Sequence, residues 1–170
     1  MELILEHIRK DHHRSNFESR EGSIQQYLRQ NARQQHAAGM CTCFVLADAE
    51  GRVHGYFTLS AAEPRSEHLP TDQQRAQRIP VSRLPLPVIL LGRLGRDDRL
   101  TERGFGRKLL KLAIVQAADS RKAVGSVGLV TDPVNEALAT WYHAFGFKSL
   151  SDSGRMFLGF RGIEKLLNQT

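Results

Sequence analysis

The sequence predicts an α/β fold, a single domain spanning residues 1–170 with a mixed central β-sheet flanked by helices. The chain has 170 residues, 41% of them hydrophobic, which is enough for one well-buried domain and too little for two. Two strand-like segments joined by a turn lie in the first half, and strand-like and helix-like segments alternate in the second half. An antiparallel pair followed by β-α-β units indicates one mixed sheet.

The first helix is predicted by a capping motif. A short apolar segment at 3–5 is followed by a polar turn and by Ser23-Ile24-Gln25-Gln26, which has the spacing of a capping box. Gly39 is suited to end this helix. Its buried stripe is predicted to consist of Tyr27, Leu28 and Ala32.

A β-hairpin is predicted next. The segments 43–47 and 53–59 are strand-like, and Asp48-Ala49-Glu50-Gly51 between them is typical of a hairpin turn. The following stretch, 62–87, is polar, contains several prolines and has no clear period. Its length favours a functional loop or an excursion with a short helix.

The second half begins with a continuous apolar run at 88–91, which is typical of a central strand covered on both faces. The helix after it has one apolar face, formed by Leu109, Leu110, Ala113, Ile114 and Ala117. A strand at 126–130 and a turn at Asp132-Pro133 lead to a short helix at 135–143. We expect this helix to face the sheet through Ala137, Leu138 and Trp141. The closing strands are predicted at 145–148 and 155–160.

Positive charge is concentrated around a glycine turn. The chain has 24 Lys and Arg against 18 acidic residues, a net charge of +6 and a pI near 9.7, which favours anionic partners. Its basic centre, 93–111, contains the turn Arg103-Gly104-Phe105-Gly106-Arg107-Lys108. A strand, a glycine turn and a helix in this order bind phosphate through backbone N–H groups and the helix dipole. A merely solvated charged surface is the alternative interpretation.

Other chemistry has little support in the sequence. Cys41 and Cys43 are the only cysteines and are read as reduced thiols that cannot form a zinc site alone. The pair His12-His13 lacks ligand spacing on a helix face and is assigned to a surface turn, so no metal is expected. No run of eighteen apolar residues occurs, and the N-terminus lacks a secretory pattern, so we expect a cytoplasmic protein without a membrane span.

The order of elements and two motifs resemble the GCN5-related N-acetyltransferase (GNAT) superfamily. Its acetyl-CoA motif is Q/R-x-x-G-x-G/A, and Arg103, Gly106 and Lys108 occupy the fixed positions, although lysine stands where a small residue is usual. The downstream segment 141–147, Trp-Tyr-His-Ala-Phe-Gly-Phe, also resembles the family. The resemblance implies the fold, acetyl-CoA as co-substrate and acetyl transfer to an amine.

A narrower resemblance covers about 12–160. The segments 14–17, 27–28, 55–60, 87–94 and 141–142 resemble the tRNA-acetylating GNAT toxins of bacterial toxin–antitoxin pairs. That resemblance implies acetylation of the amino group of aminoacyl-tRNA, a block of translation, a homodimer and a small ribbon-helix-helix antitoxin. Two departures are present: 18–22 replaces a usual Cys-Gly pair, and Gly95-Arg96 stands where Ala-Val is common.

Acetyl transfer passes through an oxyanion, and we expect a backbone N–H in Leu94, Gly95 or Arg96 to stabilise it. The resemblance assigns the pyrophosphate to Gly104–Lys108, and it implies a pantetheine contact for Asn135, for which local capping is an equal alternative. Tyr142 is expected to be the general acid that protonates the departing thiolate, the alternative being a packing residue.

The molecule that accepts the acetyl group is predicted from several arginines and from the lack of an evident catalytic general base. Arg93 lies inside an apolar strand and is expected to be a buried guanidinium that needs a partner, either a neighbouring carboxylate or the acceptor. No general base is evident, which favours an α-amine acceptor because its pKa is near 8. Phosphates of aminoacyl-tRNA are expected to contact Arg93, Arg96 and the loop arginines Arg75, Arg78 and Arg83. For the loop arginines alone, a solubilising surface is an equal alternative. A small amine or protein N-terminus as acceptor, and a non-catalytic acyl-CoA-binding module, stay open.

Overall fold

Seven strands and six α-helices make up the described part of the chain, residues 1–65, 68–80, 85–150 and 153–169 of a computed structural model. The strands are β1 Ile4–His7, β2 Thr42–Ala47, β3 Val53–Ala62, β4 Val88–Arg96, β5 Gly128–Thr131, β6 Lys148–Ser149 and β7 Met156–Gly159. The helices are α1 Gly22–Gln26, α2 Ala32–Ala37, α3 Thr71–Ala76, α4 Phe105–Asp119, α5 Glu136–Phe145 and α6 Ile163–Asn168. A π-helical turn, Tyr27–Asn31, joins α1 to α2, and a 3₁₀ turn, Ser120–Lys122, follows α4.

The strands form one sheet in the order β1-β2-β3-β4-β5-β7-β6. β1, β2 and β3 are antiparallel neighbours, β4 and β5 are parallel, and β7 is antiparallel to both β5 and β6. The predicted mixed sheet with flanking helices is therefore confirmed. The predicted hairpin is confirmed too, because the Asp48 carboxylate accepts hydrogen bonds from the Glu50 and Arg52 amides in the turn, and Gly51 takes the left-handed φ of 77° there.

The chain divides into two compact units. The first comprises Met1–Ser60 and Gly92–Ala113. Its aromatic and aliphatic core includes Phe17, Tyr27, Leu28, Val45 and Tyr56. The predicted stripe of Tyr27, Leu28 and Ala32 is buried as expected, each side chain being no more than 4% exposed.

The second unit comprises Ala61–Leu91 and Ile114–Thr170. Its core cluster is Leu69, Ile79, Leu86, Val88, Val130, Leu150 and Phe157. The long polar stretch contains α3, as the short-helix interpretation predicted. The register of β4 with β5 joins Ile89, Leu90 and Leu91 to Leu129, Val130 and Thr131.

Several local predictions are wrong. The capping box is absent, because the Ser23 hydroxyl donates to the Glu21 carboxylate and Glu21 is the N-cap residue. The segment predicted as a strand at 145–148 begins in α5, which ends at the left-handed Gly146. The buried face of α5 consists of Tyr142 and Phe145, whereas Ala137 is exposed and Leu138 and Trp141 are half-buried.

A further wrong prediction concerns the exposure of His12, whose side chain is buried although residues 9–12 form a turn. Its Nδ1 accepts a hydrogen bond from the Arg9 amide at 2.9 Å, so its Nε2 carries the proton that is donated to Glu6 Oε1 at 2.8 Å. The imidazole thus links β1 to the loop after it.

Candidate active site

The glycine turn before α4 has an open surface. Gly104 has a φ of 76°, in the left-handed region that favours glycine, and α4 begins at the next residue. Apart from the adjacent residues and the backbone of α4, no atom of the described residues lies within 4 Å of the position that a Cβ would occupy at Gly104 or Gly106. Since the first amides of a helix lack intrahelical acceptors, this turn presents N–H donors to an open surface.

The turn is fixed in the first unit by Phe105. This side chain is fully buried, and a Cβ at Gly55 of β3 would lie 2.9 Å from its Cε1 atom. Gly55 is therefore required for the ring to reach this depth. The first turn of α4 is closed by a hydrogen bond from the Lys108 amide to the Gly104 carbonyl at 2.9 Å. Arg103, Arg107 and Lys108 are exposed around the anchored ring.

The loop from β4 towards the glycine turn is held by Asp97, which is buried. Its carboxylate accepts hydrogen bonds from the Arg99 guanidinium and backbone amide and from the Glu18 amide. Burial opposes ionisation of Asp97, but these hydrogen bonds outweigh it and hold the pKa of the carboxyl below its usual value. Segment 18–22, which stands where the resembled toxins usually have a Cys-Gly pair, is bound to the same loop. The Asp98 amide donates to the Glu18 carbonyl at 2.9 Å.

The end of β4 contains the predicted oxyanion residues. Leu94 is half-buried, Gly95 is buried and Arg96 is exposed. A Cβ at Gly95 would lie 2.3 Å from Ile24 Cγ2 and 3.0 Å from Tyr56 Cε1. The glycine at this position is thus explained by the Ile24 methyl group and the Tyr56 ring, which occupy the space of a larger residue.

Arg93 is exposed on β4, so the prediction of a buried guanidinium is wrong. Its guanidinium carbon lies 3.7 Å from the centroid of the Tyr27 ring, a cation–π contact. The Tyr27 ring stacks in turn on Tyr56, with centroids 6.2 Å apart. The Arg93 amide donates to Thr58 Oγ1 at 3.0 Å. A guanidinium stacked on one face keeps its N–H edge available for an acceptor molecule.

Tyr27 supports the Arg93 guanidinium, a contact that the sequence analysis does not predict, since it places Tyr27 in the buried stripe of the first helix. It begins the π-helical turn, and its hydroxyl donates to Gln35 Oε1 at 2.8 Å and lies 3.4 Å from Cys41 Sγ. Burial, together with the Cys41 contact, raises the pKa of Tyr27 well above its usual value. Short π-helical turns occur frequently at functional sites. A tyrosine at helical spacing gives no sequence signal for such a turn.

Tyr142 is buried in the second unit on α5. The Thr131 hydroxyl donates to the Leu91 carbonyl at 3.2 Å, and the Thr131 side chain also forms a hydrogen bond with the Tyr142 hydroxyl. Burial raises the pKa of Tyr142, and the hydrogen bond with Thr131 offsets only part of that rise. The phenol therefore keeps its proton at neutral pH, as a proton donor must.

Asn135 is the N-cap of α5, and its Oδ1 accepts from the Leu138 amide at 2.8 Å. The capping alternative is thus present in the structure, and the pantetheine contact stays a prediction. Of the loop arginines, Arg75 and Arg78 are exposed, whereas Arg83 lies outside the described residues. Arg78 follows α3 with a φ of 54°, unusual for a residue other than glycine.

Two findings bear on metals and membranes. Among the described residues, no group of three His, Cys, Asp or Glu side chains is arranged to hold a metal ion. Within the same residues, every helix is too short or too polar to cross a bilayer.

The mixed seven-stranded sheet with flanking helices is the fold of the GCN5-related N-acetyltransferases. No known family profile matches the chain. A curated tRNA-acetylating toxin of Mycobacterium tuberculosis (strain ATCC 25618 / H37Rv) is 34% identical over 137 residues, which cover 79% of this chain and 77% of that protein. The chain belongs to this family of tRNA-acetylating toxins.

Solved structures of related toxins have the same fold. AtaT complexed with acetyl-methionyl-tRNAfMet is 26% identical, with a TM-score of 0.86, over 97% of this chain and 99% of that one. AtaTR bound with AcCoA is 25% identical, with a TM-score of 0.80, over 96% of this chain and 97% of that one.

Proposed function

We propose that the protein transfers acetyl from acetyl-CoA to the amino group of an aminoacyl-tRNA and thereby blocks translation. The observation that carries this proposal is its 34% identity to a tRNA-acetylating toxin over 137 residues. The open, basic glycine turn before α4 supports it independently, because acetyl-CoA contains a pyrophosphate.

The residues of the turn fit acetyl-CoA. The amides of the turn and first helical residues, from Gly104 to Lys108, are proposed to bind the pyrophosphate, with Arg103 and Arg107 supplying positive charge. When bound, acetyl-CoA supplies a thioester whose acyl carbon an amine attacks. Lys108 replaces the small residue usual in the family; its exposed position allows the ammonium group to turn towards a phosphate.

Two further roles are proposed for the transfer itself. A backbone N–H in the segment Leu94–Arg96 is proposed to donate to the oxyanion, and Asn135 to contact the pantetheine arm in addition to capping α5. Tyr142 is proposed to donate its hydroxyl proton to the departing thiolate. Its raised pKa keeps the proton on the phenol at neutral pH. Because a thiol is more acidic than this phenol, transfer to the thiolate requires the hydroxyl to be held beside the sulfur.

The partners are proposed from the family. Toxins of this kind are paired with an antitoxin, here proposed to be a small ribbon-helix-helix protein, and we propose a homodimer acting in the cytoplasm. The exposed Arg75, Arg78, Arg93 and Arg96 are proposed to contact tRNA or its aminoacyl end, Arg93 through the N–H edge left by its stacking on Tyr27. Arg83 is proposed for the same role from the sequence.

The test is transfer of labelled acetyl from acetyl-CoA to total charged tRNA by the purified protein. Wild type is compared with Tyr142→Phe at low and moderate salt. We expect label on aminoacyl-tRNA with wild type and its loss with the variant, and the labelled species identifies the amino acid. If acetyl-CoA binds but tRNA carries no label, aminoacyl-tRNA is not the acceptor. The acceptor would then be sought among small amines and protein N-termini.

A non-catalytic acyl-CoA-binding module is the second candidate, favoured by Lys108 in the cofactor motif. It predicts that acetyl-CoA binds and that no amine of any kind is acetylated. It also predicts that Tyr142→Phe changes no activity. The same assay, with small amines and peptides added as acceptors, distinguishes this candidate from an enzyme that acetylates aminoacyl-tRNA and from one that acetylates small amines or protein N-termini.

A further inference from the structure

Arg14 has an unsatisfied buried donor. Its Nε has no hydrogen-bond partner, and within the described ranges Ser126 Oγ is the other such buried side-chain atom. The contact made by its guanidinium is a long hydrogen bond from Nη1 to the Leu28 carbonyl at 3.4 Å. Because an unpaired buried donor costs about 1–3 kcal/mol, such a group calls for a partner that the folded chain does not supply.

Arg33 adds a second positive charge near the unpaired Arg14 guanidinium. Arg14 and Arg33 are both half-buried, Arg33 in the first turn of α2. Burial of Arg14 and the positive charge of Arg33 together lower the pKa of the Arg14 guanidinium. In the part of the chain that the structure describes, neither guanidinium forms an ion pair with a carboxylate.

Other arginines of the same unit are paired. Arg29, in the π-helical turn, donates two hydrogen bonds to the Phe17 carbonyl at 3.0 and 2.7 Å. Arg99 makes two hydrogen bonds to the Asp97 carboxylate. The fold thus supplies acceptors for the guanidinia that it uses structurally, and it leaves Arg14 and Arg33 as neighbouring like charges. Such a pair is stabilised when an anion binds to both.

We propose that Arg14 and Arg33 together bind one backbone phosphate of tRNA, an inference that rests on the proposed function. The planar guanidinium fork matches the non-bridging oxygens of a phosphodiester, and one phosphate can accept from two guanidinia at once. A nucleic acid presents such a charge at every nucleotide, and the chain carries a net charge of +6. This pair is assigned to the acceptor, because the glycine turn is the part of the chain proposed to bind acetyl-CoA.

The experiment measures the KM and kcat of acetyl transfer, and the direct binding of tRNA, over a range of salt concentrations. The variants are Arg14→Gln, Arg14→Lys and Arg33→Gln. Lys122→Gln is the control, because it removes one positive charge from a side chain that is 83% exposed. Thermal unfolding of each variant shows whether it is folded. If Arg14→Gln does not fold, Arg33→Gln and Arg14→Lys decide the test.

The glutamine variants are expected to raise the KM for aminoacyl-tRNA roughly tenfold at moderate salt. Each is also expected to reduce the slope of log affinity against log salt by about one. The kcat and the KM for acetyl-CoA stay as in wild type. Arg14→Lys keeps the salt slope, because it keeps the charge, but raises the KM because it loses the fork.

Several outcomes would overturn the proposal. One is that both glutamine variants match Lys122→Gln in KM and salt slope. Another is that tRNA binding is unchanged while an acidic antitoxin peptide binds more weakly, which assigns the pair to a protein carboxylate. If wild type acetylates no aminoacyl-tRNA, the proposed function fails, and the salt dependence of tRNA binding still decides whether Arg14 and Arg33 bind phosphate.

Discussion

The Asp97 carboxylate and the Arg99 guanidinium are joined by two hydrogen bonds, from Nε to Oδ1 at 3.0 Å and from Nη2 to Oδ2 at 2.7 Å. Arg99 also donates to the Asn16 carbonyl, so the pair connects the loop after β4 to the segment before α1. A buried carboxylate with several donors fixes both segments more firmly than an exposed ion pair does.

Asp97→Asn is expected to lower the free energy of unfolding by about 1–3 kcal/mol, because buried donors lose a charged acceptor. The folded-state pKa of Asp97 is depressed, so its contribution is present above the unfolded pKa of about 4 and is lost as pH falls below it. Denaturant unfolding of wild type and variant across this pH range measures the difference. It should shrink towards acid pH, and Asp119→Asn, at an exposed ion pair, should show little change at any pH. A difference that is independent of pH would contradict the assignment.

Gly95→Ala is expected to destabilise the fold by about 1–3 kcal/mol, since the new methyl group would overlap the Ile24 side chain. Ile24→Ala removes the overlapping Cγ2 atom, so the double variant should lose less stability than the sum of the single variants. Denaturant unfolding of the four proteins forms the cycle. Additive losses would show that Ile24 does not determine the glycine at this position.

Arg93→Gln is expected to lower kcat/KM for aminoacyl-tRNA by roughly 10- to 100-fold, because it removes a charge-assisted donor. Arg93→Lys keeps the charge but loses the planar stacking on Tyr27, and an intermediate value is expected. Steady-state kinetics with aminoacyl-tRNA as the varied substrate gives these values. An unchanged kcat/KM in Arg93→Gln would remove Arg93 from the acceptor site.

Asn135→Ser and Asn135→Ala separate capping from ligand binding. Serine keeps an N-cap acceptor for the Leu138 amide, whereas alanine costs about 1 kcal/mol of stability. If Asn135 also contacts pantetheine through its amide, both variants should raise the KM for acetyl-CoA. A normal KM in Asn135→Ser would leave capping as the whole role of the residue.

Lys108→Ala is expected to weaken acetyl-CoA binding several-fold at low salt, and less at high salt, because an exposed ammonium group is screened. Calorimetric titration at two salt concentrations measures this change, with Lys122→Ala as the exposed control. Tighter binding by Lys108→Ala would instead mean that the lysine obstructs the pyrophosphate.

Several of the regular elements could be predicted from periodicity, whereas the surroundings of several polar side chains could not. The apolar face of α4 and the β2–β3 hairpin follow from residue spacing alone. Arg93 was misjudged because strand position gives no sign of the Tyr27 ring beside it, and His12 because its partner Glu6 lies on another element. The predicted capping box at Ser23 does not form, because the Ser23 hydroxyl donates to the Glu21 carboxylate and the helix begins after Glu21.

The Asp97 network was missed for a related reason. An Asp-Asp-Arg sequence after a strand resembles an ordinary polar loop, and burial of one of its carboxylates depends on the distant segment 16–18. Long-range hydrogen bonds of this kind have no local sequence signal.

The two thiols differ enough in their surroundings to serve as chemical probes. Burial raises the pKa of Cys43 to about 12, so almost none of it is thiolate at neutral pH and it resists alkylation. Cys41 is half-buried, and its sulfur lies 3.4 Å from the hydroxyl of Tyr27, the ring on which Arg93 rests. A maleimide fluorophore should therefore attach at Cys41 alone, without any engineered cysteine. Its emission would report the binding of a ligand near Arg93 and Tyr27.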